Sequence, residues 1–141
     1  MYNFRKSKKG FTLIELMVVV AIIGVLALLG LRVYNNQQRK AKEALVKANA
    51  GTSQVEIQTR LVDETVASAA AAVVLVNDLN MKNPFDRTAS SATVAETMAS
   101  EAPASGTEGL VGIYMSGSVF TFVGFGEGGT TIPDYTLTAQ P

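Results

Sequence analysis

Residues 11–31 read FTLIELMVVVAIIGVLALLGL, twenty-one residues interrupted by a single charge, Glu15. No proline breaks the run. As a helix it is about 31 Å long, enough to cross a hydrocarbon core of roughly 30 Å. What flanks the run decides how it is read. Ahead of it stand Arg5, Lys6, Lys8 and Lys9 with no acid, and Gly10 directly precedes Phe11. Behind it comes RVYNNQQRKAKEA, a charged, helix-forming stretch. A conventional secretory signal has a shorter apolar core followed by a small-x-small cleavage site, whereas here the small residue stands before the core. The basic leader places the N-terminus on the cytoplasmic side, although Arg32, Arg39, Lys40 and Lys42 load the other flank as well.

Glu15 is out of place in such a helix. An ionisable residue costs on the order of 2.5–3.5 kcal/mol at mid-depth and less near an interface. It is either an interfacial carboxylate that snorkels or one that awaits a cation. Cleavage between Gly10 and Phe11 would create that cation. The new α-amino group of Phe11 and the side chain of Glu15 stand at i, i+4 on one helix. In a staggered assembly the same carboxylate would reach the amine of a neighbouring copy.

The string Gly10-Phe11-Thr12-Leu13-Ile14-Glu15, with its short basic leader and the VVVAIIGVLALL that follows, resembles the class III signal of type IV pilins and related pseudopilins. The resemblance implies cleavage after Gly10 by a prepilin peptidase, N-methylation at Phe11 and an assembly role for Glu15. It implies a single-pass protein of the inner (cytoplasmic) membrane, in contact with lipid and with the inner-membrane pilus assembly machinery, that polymerises with itself into an extracellular filament for adhesion, motility or DNA uptake. The same signal serves a pseudopilin of a type II secretion system, which is the alternative reading. Many pilins have a proline where Arg32 stands and the helix loosens there. In this chain the helix-weakening residues nearby are Gly24 and Gly30, each costing about 1 kcal/mol relative to alanine.

Composition narrows the chemistry. The 141 residues contain no His, Cys or Trp and carry zero formal net charge. The commonest zinc and haem ligands and the Cys-His and Ser-His nucleophile pairs are therefore missing. No paired carboxylates or nucleophile motif stand out, so the expectation is a non-enzyme without metal or cofactor. Glu127 and Asp134 are too few and too far apart for a calcium site of six to eight oxygens. Zero net charge conceals an asymmetry: six bases against Glu43 and Glu56 over residues 32–62, then nine acids against Lys82 and Arg87 from Asp63 onward. An acidic head repels nucleic acid, so no direct DNA binding is expected. Tyr34 is the one aromatic of the stem beyond Phe11, which gives an electron-conducting role little support.

The expected fold is α+β, a pilin fold in which a long N-terminal helix is packed by a three-stranded antiparallel sheet and a short second helix. Its segments are a leader (1–10), a membrane or filament-core helix (11–31), an amphipathic stem (32–62) and a globular head (63–141). The stem has strong helix formers and the favourable pair Glu43–Lys47. A heptad-like stripe through Ala41, Leu45, Ala48, Thr52, Val55, Thr59 and Val62 makes it amphipathic, the spine for a head. Residues 65–80 read as the second helix, with Asp63 and Glu64 at its start, and Asn83-Pro84-Phe85 ends it. Residues 88–109, rich in Ala, Ser and Thr, read as loop. The runs 110–115 and 119–125, joined through Ser116-Gly117-Ser118, read as a hairpin, and residues 135–139 as a third strand. Gly126-Glu127-Gly128-Gly129 lacks the lysine and following helix of a phosphate loop.

Overall fold

A computed structural model describes residues 10–63, 66–86, 93–98 and 105–139, except the side chains of residue 63 and of 133–139. The leader expected over residues 1–9, Glu64 and much of the segment 88–109 lie outside the described residues. The chain divides into two units between Gln37 and Gln38.

The helix α1, Leu13–Asp63, runs unbroken for 51 residues. The first proline of the chain is Pro84, and Gly24, Gly30 and Gly51 are each absorbed at the modest cost of an interior glycine. Within the first unit the helix has no packed face, and every described residue of that unit is exposed.

In the second unit the structure differs from the stripe read in the sequence. Ala41, Leu45, Ala48, Thr52, Val55, Thr59 and Val62 are all exposed. The packed face is the neighbouring one, where Val46, Ala50, Ser53 and Ile57 are fully buried and Leu61 is partly so. Both rows have helical spacing, and sheet geometry chooses between them. A Cβ on Gly124 would lie 3.0 Å from Cγ1 of Val46, so the bare backbone of Gly124 is what lets the sheet approach that side of α1. Ser53 is tolerated in the core because its hydroxyl donates to the carbonyl of Asn49 at 2.7 Å.

The sheet has four strands in the order β1 (Ala95–Thr97), β2 (Val111–Ser116), β3 (Val119–Phe125) and β4 (Thr131–Ala139). The expected antiparallel meander is β2-β3-β4. The fourth strand, β1, lies in the segment read as loop and pairs parallel to β2. Gly117 supplies the positive φ of 63° that the tight β2–β3 turn requires. β4 begins earlier than expected and includes Pro133, which a sheet tolerates on its last strand because that residue's missing N–H is not needed there. Strand alternation splits the large side chains. Phe120 and Phe122 join Ala50, Ile57, Val111 and Ile113 in one core, while Val123 and Phe125 pack with Tyr114 and Met98 on the opposite face.

The second helix, α2 (Ala69–Asp78), starts later than the alanine-rich run suggested. Ser68 is its N-cap, accepting from the amide of Ala71 at 3.2 Å, so no acid occupies the first turn. Near its other end Asn77 docks α2 on β1. Its Oδ1 accepts from the amides of Val94 (2.9 Å) and Ala95 (3.0 Å), and its Nδ2 donates to the carbonyl of Ala95 (3.3 Å). One amide side chain thus plays the part of a neighbouring strand. Asn83 fastens the Asn-Pro-Phe turn in the same way, accepting from the Phe85 amide (2.9 Å) and donating to the Glu108 carbonyl (2.8 Å).

Candidate functional site

The N-terminal site is built by a helix start. Gly10, Phe11 and Thr12 precede the helix, so the Gly10–Phe11 peptide lies outside the hydrogen-bonded ladder, and Phe11 is 91% exposed. Leu13 is the first helical residue, which makes Thr12 the N-cap and Glu15 the third helical position. The two side chains form a reciprocal capping box. The Thr12 amide donates to Oε2 of Glu15 at 2.8 Å, the Thr12 hydroxyl donates to the same oxygen at 2.6 Å, and the Glu15 amide donates to the Thr12 hydroxyl at 3.4 Å. Among the described residues the carboxylate therefore has a partner, and that partner is Thr12. The pattern Thr-x-x-Glu ahead of an apolar run is a capping-box signature, and it was legible in the sequence. It escapes notice when Thr12 is counted as one more residue of the membrane stretch.

Downstream, Ile14, Met17, Val18, Val20, Ile22 and Leu28 are among the large apolar side chains left more than half exposed. The window of mean hydropathy 2.8 within Leu13–Val62 is long and apolar enough to cross a membrane. Gly24 and Gly30 both face open space, with no atom within 4 Å of a Cβ built on either. They lie within continuous helix.

Near the start of the second unit, Arg39 lies 3.8 Å from Glu43 and 3.9 Å from Glu127, and the Lys42 ammonium stands 5.0 Å from the Phe85 ring centroid. These are exposed contacts of the kind worth about 0–1 kcal/mol each. They fasten the loop 126–129 and the Asn-Pro-Phe turn to the stem. Among the described residues no group of three or more acids could hold a metal ion.

Gly10, the exposed Phe11 and the carboxylate of Glu15 at the head of an exposed apolar helix match a defined pattern. Residues 5–31 fit the family model of the prokaryotic N-terminal methylation motif. This N-terminal segment is similar to that of type IV pilins. The chain is 45% identical over 59 residues to the type IV major fimbrial protein FimA of Dichelobacter nodosus, covering 42% of this chain and 38% of that one. It is 43% identical over 55 residues to the fimbrial protein EcpB of Eikenella corrodens, covering 39% and 35%. To the type IV major pilin protein PilA of Myxococcus xanthus strain DK1622 it is 46% identical over 47 residues, covering 33% and 21%. The match thus spans about two fifths or less of the length of these relatives. No solved structure matches it significantly.

Proposed function

We propose that this chain is a type IV pilin, the structural, non-enzymatic subunit of a type IV pilus. It waits in the inner membrane through the apolar part of α1, is cut between Gly10 and Phe11 by a prepilin peptidase, is N-methylated at Phe11, and polymerises with other copies through the assembly machinery into an extracellular filament. The observation that carries this reading is the methylation motif over residues 5–31, set on a helix that exposes its whole apolar surface through Leu31. Such a surface needs lipid before assembly and other helices after it. The function of Glu15 follows from charge. Removing residues 1–10 takes away four cations and leaves one ammonium at Phe11. When helices bundle away from water, that ammonium and a Glu15 carboxylate neutralise each other, and stranding one of them costs about 3–5 kcal/mol. The pair favours one stagger of the helices over others, as buried polar groups do in coiled coils.

The test is Glu15→Val as the only copy in the cell. The apolar side chain suits the bilayer better, so the protein inserts, accumulates and is cut. Filaments in the sheared fraction are lost. Normal filament yield from this variant would refute the pairing of Glu15 with the amine.

A further inference from the structure

The proposed pairing leaves a gap in time. The Phe11 ammonium exists only after the cut, while Glu15 enters the membrane before it. The geometry of the first turn fills this gap. Both donors of Thr12 converge on one carboxylate oxygen, Oε2, at 2.8 and 2.6 Å. Every described residue of the first unit is exposed, so the orientation of this flexible side chain is set locally. An ionised carboxylate can accept at about four lone-pair sites on two oxygens. With Thr12 on Oε2, the other oxygen, Oε1, stays available for an ammonium. The arrangement also survives processing. The cut breaks the amide of Phe11, whereas both Thr12 donors belong to the residue after it and remain in place.

We infer that Thr12 is the positioning residue for Glu15: it holds the carboxylate at the helix start before cleavage, and presents it in a fixed orientation to the Phe11 ammonium afterwards. This rests on the reading of Glu15 given above. Thr12 acts through its hydroxyl and its amide, and only the hydroxyl can be removed by substitution. Valine keeps the branched shape of threonine and lacks the O–H, whereas serine keeps the O–H and lacks the methyl.

The experiment compares Thr12→Val, Thr12→Ser and Glu15→Val, each as the only copy in the cell. Processed protein in membranes is quantified by intact mass, and filaments by sheared yield. Thr12→Val is expected to insert and be cut like the native chain while its filament yield falls about fivefold or more, the factor that loss of a helix cap represents. Thr12→Ser is expected to restore at least half of native yield. Native yield from Thr12→Val overturns the assignment. So does an equal defect in Thr12→Ser, which would place the effect in the branched methyl, and so does a Thr12→Val chain that stays uncut, which would place it in processing. Glu15→Val separates the two ideas. If it assembles normally, the pairing of Glu15 with the amine fails. If it does not and Thr12→Val does, the role of Thr12 fails alone.

Discussion

Replacing Asn77 by alanine tests how the head is held together. The side chain makes three hydrogen bonds to the edge of β1, at 2.9, 3.0 and 3.3 Å, and the two residues it serves, Val94 and Ala95, are 0% and 1% exposed. A hydrogen bond contributes about 0.5–1.5 kcal/mol net, and a buried group left unsatisfied costs about 1–3 kcal/mol. Three bonds give a loss of about 2–4 kcal/mol, moderated because Asn77 is only half-buried and water can enter from its side. For a domain of this size, with stability of about 5–15 kcal/mol, that is a large fraction. In urea, at about 1.5 kcal/mol per M, the midpoint should fall by about 2 M. Asn77→Asp keeps the acceptor for the two amides and loses the donor to Ala95, so it should lose less than Asn77→Ala. The assay is urea unfolding of residues 38–141, followed by circular dichroism and tyrosine fluorescence. A shift of less than about 0.3 M for Asn77→Ala would refute the bridging role, since an isolated surface change stays within about 0.5 kcal/mol.

Other expectations follow from the same geometry. The fragment beginning at Gln38 should be soluble and cooperatively folded, because the described core residues, Val46 to Ile132, all lie within it; broad, non-cooperative melting would contradict this. In that fragment Ile57→Ala should cost about 2–5 kcal/mol and Val55→Ala no more than about 0.5 kcal/mol, a contrast that equilibrium unfolding reads directly. Gly109 has a φ of 80°, and a Cβ there would overlap the Asn83 side chain, so Gly109→Ala should destabilise by about 2–3 kcal/mol in the same assay. Intact-mass analysis of mature protein should show loss of residues 1–10 and a gain of one methyl group, and an N-terminus after Leu31 would instead indicate a conventional signal.

Local chemistry carried much of the fold. The apolar run, the absence of proline before residue 84 and the alternation on either side of Gly117 are nearest-neighbour information, and α1 and the β2–β3 hairpin follow from them. The stem face did not follow. Val46, Ala50, Ser53 and Ile57 have the same 4-3-4 spacing that the exposed row has, and the side that packs is the one that meets sheet residues such as Phe120, Phe122 and Gly124, distant in sequence. β1 was hidden for a related reason. Ala-Glu-Thr has little strand preference of its own, and its pairing depends on Asn77 and on β2. At the N-terminus, Gly10, Phe11 and Glu15 stood out because each is an anomaly of size or charge. Thr12 did not, because a threonine in an apolar run is unremarkable until its spacing to Glu15 is noticed.

The two ends of the sheet have a consequence for crowding. Stacking many copies in a filament would bring identical sheets together at very high local concentration, the condition under which like edges zip into continuous cross-strand aggregates. Here both margins are spoiled as templates. On β1 the outward amide and carbonyl of Ala95 are already taken by Asn77, and on β4 Pro133 removes a donor near the start of the row. Heads built this way would stand side by side as separate bodies, leaving cohesion to the helices.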